Sequence, residues 1–342
     1  MDASRVISLL AILFLVTGCA KEQAPTISPD REVAAPATAP DAIPPAATSP
    51  AETAPADPLT EVSVTAPEPR YVAPTRRDRI GRIWAPVFIN GKGPFRLVLD
   101  TGANHSAITA EVASALGVTA DDESIVLLRG VTGSAQVPAI RVDTVIVGDL
   151  ELKPSIMPIV PDVFGGAEGV LGTEGMFDKR VFIDFLHDHI SISRSHNLRA
   201  DQGYVTIPVQ LTRQKLLVIP AHVGGLKVKA IIDTGGQATV ANPALIEALA
   251  KRRSQYEPKP AQIQGATDDV QEAENMLMPP IDLGGVRFLR TRVAVAELKI
   301  FETWDLTREP AILIGMDALG TLDQLVIDYR RRELQLRVRP LT

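Results

Sequence analysis

The chain has 342 residues with a formal net charge of −6, and it contains a single cysteine. The charge and the absence of a long basic run argue against a nucleic-acid-binding protein, and one cysteine excludes a disulfide within the chain. The short basic segment Arg330-Arg331-Arg332 falls where a hairpin turn is predicted, so we interpret it as a solvated turn.

The first elements in chain order are typical of a bacterial export signal. Residues 1–18 contain one arginine, an apolar run from Val6 to Val16 and then small residues. The run is shorter than the roughly 20 residues that a spanning helix needs. The segment 16–19 resembles a lipobox in which Cys19 becomes the lipid-modified first residue; the alternative is an ordinary signal with an unmodified cysteine. Because Ala20 rather than aspartate follows Cys19, we expect a periplasm-facing protein anchored to the outer membrane.

Residues 19–76 are predicted to be a lipidated cysteine followed by a disordered tether. Residues 24–75 hold 12 of the 27 prolines, and Tyr71 is their only aromatic residue. Such a composition cannot bury a core. As a coil, the tether would span roughly 40 Å.

From residue 77 onward the pattern predicts mostly β-strands and two short helices. Thr109 is expected to cap the first helix, which ends before Gly117, and Asn242-Pro243 to start the second. Alternating apolar residues predict strands at 140–142, 144–147 and 292–295.

The tripeptide Asp-Thr-Gly occurs twice, in the segments Asp100-Thr101-Gly102-Ala103 and Asp233-Thr234-Gly235-Gly236. Each segment follows an apolar run, which predicts a strand that ends in a carboxylate at a glycine turn. Two such strands can bring the carboxylates face to face. Like charges about 3 Å apart cannot both ionise, so such a pair shares a proton and can activate water.

The surroundings of the two tripeptides are also repeated. Each aspartate is followed much later by an apolar-apolar-Gly segment, which ends at Gly172 in the first half and at Gly315 in the second. Shortly after that glycine, each half has a further apolar run that ends in an aspartate, Asp184 or Asp328. The same landmarks recur in the same order and at similar offsets, which is typical of a duplicated small domain.

On these residues the chain resembles the aspartic peptidases, and in particular a fused pair of retropepsin-like units. The resemblance covers about residues 77 to 342. It implies an all-β fold in which residues 77–200 and 201–342 form two related β-barrel lobes with short helices and an active-site cleft between them. In this family the apolar-apolar-Gly segments lie behind the aspartate loops and support them.

The resemblance assigns roles to the duplicated loops. Asp100 and Asp233 would flank the catalytic water, without a covalent intermediate, cofactor or metal. Thr101 and Thr234 would hydrogen-bond across the pair, and Gly102 and Gly235 would donate backbone N–H groups.

The residue after each loop glycine departs from the pattern of many relatives. Many family members carry serine or threonine there, whereas this chain has Ala103 and Gly236. A hydroxyl that donates to the carboxylates is therefore missing on both sides. We expect the pair to titrate at higher pH than in acid-adapted relatives.

Glycine-rich hairpin tips downstream of each aspartate are candidates for flaps that close over a peptide. They are Gly130-Val131-Thr132-Gly133 and Gly265-Ala266-Thr267, and an ordinary surface hairpin is an equal alternative for each. The flap tyrosine of pepsin-type relatives is absent from both, which favours the retropepsin style with two flaps.

The sequence therefore predicts an aspartic endopeptidase of the bacterial cell envelope that cleaves extended polypeptides and acts as a monomer. Two alternatives remain: a catalytically silent peptide-binding or scaffold module of the same fold, and a homodimer in which each lobe pairs with its twin. The five histidines show no metal-ligand spacing, and no Gly-x-Ser-x-Gly motif supports a serine nucleophile.

Overall fold

The computed structural model describes residues 84–338, with gaps at 119–122, 148–149, 153–155, 163–164, 188, 197–198, 213–215, 252–257 and 268, and three short strands upstream. In chain order the elements are β1 (Val6–Ser8), β2 (Phe14–Val16), β3 (Glu61–Thr65), β4 (Trp84–Ile89), β5 (Lys92–Leu99), β6 (Ala107–Thr109), α1 (Ala110–Leu116), β7 (Glu123–Arg129), β8 (Ser134–Arg141), β9 (Val145–Val147), β10 (Leu150–Leu152), β11 (Ile156–Val160), β12 (Gly169–Leu171), β13 (Lys179–Asp184), β14 (His189–Arg194), β15 (Val205–Pro208), β16 (Gln210–Leu211), β17 (Leu217–Val223), β18 (Leu226–Ile232), β19 (Val240–Ala241), α2 (Pro243–Ala250), β20 (Lys259–Gln264), β21 (Val270–Leu277), β22 (Ile281–Leu283), β23 (Val286–Phe288), β24 (Arg292–Val295), α3 (Lys299–Thr303), β25 (Ala311–Ile314), α4 (Met316–Leu319), β26 (Gln324–Asp328) and β27 (Glu333–Arg337).

Two large sheets have the same topology and define two related lobes. The N-terminal lobe has the strand order β1-β7-β8-β11-β6-β12-β5-β4-β9-β10, and the C-terminal lobe has β2-β20-β21-β24-β19-β25-β18-β17-β22-β23, with β16 added against β17. Strand directions match as well: β5 and β18 each pair in parallel with a strand that follows much later, β12 and β25. The predicted all-β fold of two duplicated retropepsin-like lobes is confirmed.

A third, six-stranded sheet joins the lobes. Its order is β15-β27-β26-β13-β14-β3, so each lobe contributes a hairpin and one flanking strand. At the junction, β13 and β26 pair antiparallel, with Val181 opposite Ile327. Arg180 of the first lobe also lies 3.6 Å from the carboxylate of Asp328 in the second. The lobes are thus connected by continuous backbone hydrogen bonds.

The strands that lead to the two aspartates are buried on both faces at their ends. In β18 the alternation of exposed and buried residues gives way to three consecutive buried residues, Ala230, Ile231 and Ile232. The corresponding end of β5, residues 97–99, is also buried. Burying each of these larger apolar side chains stabilises the fold by about 1.5–3 kcal/mol, which fixes where the next residue emerges.

The two predicted helices after the aspartate loops are confirmed. Thr109 accepts a hydrogen bond from the N–H of Val112 at the start of α1, and Gly117 ends that helix with φ of 79°. Asn242 caps α2 in the same way, accepting from the N–H of Leu245. Within the described residues, no helix is long and apolar enough to cross a membrane.

The C-terminal lobe contains an insertion that the first lobe lacks. In the first lobe the chain passes from the end of β11 at Val160 to Gly172, and none of the described residues of this connection is helical. The connection from the end of β24 at Val295 to Gly315 is longer. The extra residues form the loop that carries α3. This insertion accounts for most of the greater separation between the aspartate and the supporting glycine in the second half.

Candidate active site

Asp100 and Asp233 follow directly after the buried strands β5 and β18. They are 0% and 1% exposed. The N–H of Asp100 donates to the carbonyl of Leu171 at 3.0 Å, and that of Asp233 to Ile314 at 3.1 Å. The apolar-apolar-Gly strands therefore hold the backbone of both aspartates, as the family resemblance implied.

The two loops are joined by reciprocal threonine hydrogen bonds. The N–H of Thr101 donates to Oγ1 of Thr234 at 3.0 Å, and the N–H of Thr234 donates to Oγ1 of Thr101 at 3.1 Å. Each hydroxyl in turn donates to the carbonyl that precedes the opposite aspartate, Ile232 at 2.7 Å and Leu99 at 2.8 Å. Because each buried bond is worth about 0.5–1.5 kcal/mol net, the four bonds hold the loops together within one chain.

The carboxyl of Asp100 lies against the opposite loop. A Cβ added at Gly235 would lie 2.2 Å from Cγ of Asp100, so only glycine fits at this position. A Cβ at Gly236 would likewise lie 2.7 Å from Oδ2 of Asp233. The missing side chains at these glycines leave room for the two carboxyls to approach each other.

One oxygen of each carboxyl is held by backbone N–H groups. Oδ1 of Asp100 accepts from Gly102 at 2.7 Å and from Ala103 at 3.0 Å. In the second loop, Oδ1 of Asp233 accepts from residues 235 and 236 at 3.0 and 2.9 Å. These donors favour the ionised form of each carboxyl.

The other oxygen of Asp100 has a different environment. Among the described residues, no N–H or hydroxyl donates to Oδ2 of Asp100, although the atom is buried. The carboxyl of Asp233 lies within hydrogen-bonding reach. Two carboxyls in contact require a proton between them, and one shared proton is the known behaviour of such pairs in aspartic proteases.

The electrostatics agree with a shared proton. Burial raises the pKa of Asp100 well above its usual value, and the charge of Asp233 raises it further. The N–H groups of Gly102 and Ala103 act in the opposite direction without cancelling this effect. The pair therefore keeps one proton to a higher pH than an isolated aspartate would.

The supporting glycines have to be glycine because the aspartate loops pass close to them. A Cβ at Gly172 would lie 2.5 Å from the carbonyl carbon of His105, and one at Gly315 would lie 2.5 Å from the carbonyl oxygen of Ala238. His105 thus lies beside the loop through its backbone. The next aspartates in the repeat, Asp184 and Asp328, accept backbone N–H bonds in hairpin turns and lie outside the carboxyl pair.

The glycine-rich segments lie at the tips of two long hairpins. We call residues 123–141 the N-terminal flap and residues 259–277 the C-terminal flap. Their tips touch: a Cβ at Gly130 would lie 3.1 Å from Thr267, and one at Gly265 would lie 2.5 Å from Oγ1 of Thr132. A Cβ at Gly133 would collide with Asp269 of the other flap.

Each flap tip also places an apolar residue in the opposite lobe. Val131 and Ala266 are both 0% exposed. Val131 packs in the apolar cluster of the C-terminal lobe, and Ala266 in that of the N-terminal lobe, which includes Ala103. The carbonyl of Val131 further accepts from the N–H of Ile300 in α3, at 3.2 Å. The two flap tips are thus closed against each other and against both lobes, and α3 donates a backbone hydrogen bond to the N-terminal flap tip.

The outer edges of both flaps carry added strands from the upstream chain. β1 pairs in parallel with β7, with Val6 opposite Leu127. β2 pairs antiparallel with β20, with Phe14 opposite Gln264. Both edges therefore accept an extended segment, which runs parallel to the edge strand in the N-terminal flap and antiparallel to it in the C-terminal flap.

A separate cavity of about 610 Å³ lies beside the N-terminal flap tip. Its lining includes Thr132, Gln271 and residues of α2 and α3. The aspartates do not line it. The sequence does not predict this cavity, because α3, which lines it, is too short to produce a periodic pattern.

Two duplicated β-lobes that bring two Asp-Thr-Gly loops into contact define a protein of the aspartic protease type. A family model described as aspartyl protease matches residues 85–174 and 219–318, one match in each lobe, and so more than half of the chain. The chain belongs to this family.

Other comparisons are more distant. The chain is similar to the crystal structure of a retropepsin-like aspartic protease from Rickettsia conorii, at 18% identity over 40% of this chain and 90% of that one, with a TM-score of 0.27. A search of curated proteins found no match.

Proposed function

We propose that the protein is an aspartic endopeptidase. The observation that carries the proposal is the pair of buried carboxyls in contact, each with one oxygen held by backbone N–H groups. The ionised member takes a proton from water as the water oxygen attacks the scissile carbonyl carbon. The protonated member gives its proton to the carbonyl oxygen. A proton then passes to the leaving nitrogen as the C–N bond breaks.

We further propose that the substrate is an extended polypeptide bound by strand addition. A single peptide that crosses the pseudo-two-fold axis between the lobes must run parallel to one flap and antiparallel to the other. The opposite directions of β1 on β7 and of β2 on β20 support this mode of binding. The closed flaps would exclude bulk solvent from the site during cleavage while the attacking water stays between the carboxyls.

The complete site is proposed to lie within one chain. The hydrogen bonds between Thr101 and Thr234 support this arrangement over a dimer of twin lobes. The intact carboxyl pair likewise favours catalysis over a silent binding module, because a module that only binds peptides has no use for two buried carboxyls in contact.

The experiment that tests the proposal is hydrolysis of an unstructured polypeptide by the purified protein. We expect Asp100→Asn and Asp233→Asn each to abolish cleavage. Each variant replaces one of the two carboxyls by an amide, so the pair no longer contains both a general acid and a general base. Both variants are nearly isosteric, so near-wild-type unfolding temperatures will show that the fold is intact. Near-wild-type turnover in either variant would exclude a shared site.

The cellular location is a separate proposal. We propose that the protein faces the periplasm and is anchored by a lipid on Cys19, with the outer membrane favoured. The support is the sequence of residues 16–20. Of these residues the structure describes only Val16. The tether of residues 19–76 also lies outside the described residues except for β3. Cys19→Ser is expected to leave the protein unprocessed or to release it from membranes. A wild-type protein that fractionates as soluble and carries no lipid by mass spectrometry would contradict the anchor.

A further inference from the structure

Each lobe has a hydroxyl residue six positions after its aspartate that ties the loop to the supporting segment. Ser106 and Thr239 are both buried. Oγ of Ser106 accepts from the N–H of Gly172 at 3.0 Å, and Oγ1 of Thr239 accepts from the N–H of Gly315 at 3.2 Å. The two halves therefore use the same contact with different residue types.

An acidic residue two positions after each supporting glycine completes this contact. Oε1 of Glu174 accepts from the N–H of Ser106 at 2.6 Å. Oδ2 of Asp317 accepts from the N–H of Thr239 at 2.9 Å, and its Oδ1 accepts from the Thr239 hydroxyl at 2.6 Å. We call the pairs Ser106–Glu174 and Thr239–Asp317 the two clasps.

The same supporting segments hold the loops at a second point closer to the carboxyl pair. The N–H of Thr173 donates to the carbonyl of Ala103 at 2.9 Å, and the N–H of Met316 donates to the carbonyl of Gly236 at 2.8 Å. Ala103 and Gly236 are the residues whose own N–H groups hold Oδ1 of the aspartates. A displacement of a supporting segment is therefore transmitted to the aspartate carboxyl of its lobe through a single residue, Ala103 or Gly236.

We propose that Glu174 and Asp317 are positioning residues that set the geometry of the carboxyl pair through the clasps. Neither touches the reacting atoms, so neither is a catalytic residue. Each acidic side chain fixes the hydroxyl residue of its loop, and thereby the distance between the loop and its supporting strand. The catalytic consequence rests on the proposed function; the structural consequence does not.

Hydrogen-bond donors explain why an acid occupies position 317. The two oxygens of Asp317 accept from the N–H of Thr239, the hydroxyl of Thr239 and the N–H of Ala318. An asparagine of the same shape would turn its NH₂ group toward one of these donors and lose that bond. Burial raises the pKa of Asp317, although part of the side chain stays accessible, and the bonds from Thr239 and Ala318 act in the opposite direction.

The test compares Asp317→Asn with Glu174→Leu by amide hydrogen exchange in the full-length protein. We expect Asp317→Asn to accelerate exchange in residues 233–241 by on the order of tenfold, the equivalent of losing one hydrogen bond, and to leave residues 100–108 unchanged. Glu174→Leu, which has no oxygen to accept from the N–H of Ser106, should do the reverse. Each variant is thus the control for the other. Unchanged or uniformly accelerated exchange in both would overturn the proposal.

Kinetics provide a readout that a merely structural role would not change. We expect kcat to fall by about 10- to 100-fold in Asp317→Asn, with KM changed less than about threefold, because small displacements of catalytic groups are costly. Thr239→Val, which removes the hydroxyl but keeps the shape, should act in the same direction and add little to Asp317→Asn. A folded Asp317→Asn variant with wild-type kcat would contradict the proposal. If the wild-type protein cleaves no peptide, the proposed function fails, and the exchange experiment still decides on the clasps.

Discussion

Asp100 lies where its negative charge is costly for folding. Burial and the charge of Asp233 raise its pKa, so the folded protein keeps a proton that the unfolded chain releases near pH 4. Stability is therefore highest below the usual aspartate pKa. It falls as the pH rises toward the raised value and stays low above it. The residue that the proposed reaction needs most thus destabilises the fold at neutral pH.

A first prediction follows for Asp100→Asn. At pH 7 we expect the unfolding temperature to rise by about 2–4 °C, equivalent to about 1 kcal/mol in a protein of this size, because the neutral amide removes the free-energy cost of burying an ionisable carboxyl beside Asp233. At pH 3 the difference should vanish, since the carboxyl is then protonated in both the folded and the unfolded state. Calorimetry at both pH values measures this.

The control for that experiment is Asp282→Asn. The N–H of Gly285 donates to Asp282 and lowers the pKa of that carboxyl, and this effect is larger than the opposite effect of burial. Its ionised form stabilises the fold above the usual pKa, so this variant should lower the unfolding temperature at pH 7. If Asp100→Asn is also less stable than the wild type at pH 7, the account of the buried pair is wrong.

A second prediction concerns Ala103, whose N–H donates to Asp100 at 3.0 Å. In Ala103→Ser the added hydroxyl can donate to the ionised pair and lower its macroscopic pKa. We expect a wild-type pH–rate optimum in the mildly acidic to neutral range and an acid limb at lower pH in the variant. An optimum in strong acid, or an unshifted limb, would mean that other contacts set the pKa of the pair.

At the scale of elements, the two flaps differ because α3 belongs to one lobe only. Ile300 of α3 donates to the carbonyl of Val131, and Phe301 packs in the same cluster. In the first lobe the corresponding connection, residues 161–168, has no helix among its described residues. The carbonyl at the N-terminal flap tip is therefore held by α3, and among the described residues no equivalent backbone hydrogen bond holds the tip of the C-terminal flap.

A third prediction tests this contact with Val131→Ala. The variant removes two buried methyl groups at about 0.8 kcal/mol each, so we expect hydrogen exchange in residues 123–141 to accelerate by about tenfold while residues 259–277 change less. Val270→Ala on the other flap is the matched control, because Val270 is 56% exposed. Equal effects of the two substitutions would show that burial of Val131 does not hold the flap.

The strands and helices near the aspartates were predictable because several local sequence patterns there indicate the same element boundaries. Apolar runs, glycine turns and capping residues predicted β5, β18, α1 and α2. Helix α3 was missed since it is only Lys299–Thr303 and follows Leu298, which has no polar side chain to act as a cap; its stability comes from burying Ile300 and Phe301. Strand β3 was missed because prolines dominate the composition around the alternating segment 61–65.

At the scale of the whole molecule, the duplication was predictable and the way the lobes join was not. Similar offsets between landmarks identify a repeat, but pairing of Val181 with Ile327 connects residues far apart in the chain and leaves no local pattern. The clasps were missed for a related reason: serine and glutamate in one half correspond to threonine and aspartate in the other. The signal that predicts the clasps is position rather than residue type, because the hydroxyl residue lies at the same offset from the aspartate, and the acidic residue at the same offset from the supporting glycine, in both halves.

The two lobes of one chain bring a single carboxyl pair together, and we infer that this pair shares one proton. Titration calorimetry with a statine-containing peptide, whose hydroxyl mimics the tetrahedral intermediate, tests this inference. We expect one inhibitor bound per chain, and affinity at least about 100-fold weaker in both Asp100→Asn and Asp233→Asn, as for loss of a charge-assisted hydrogen bond of about 3 kcal/mol. One inhibitor per two chains, or undiminished affinity in either variant, would contradict the account.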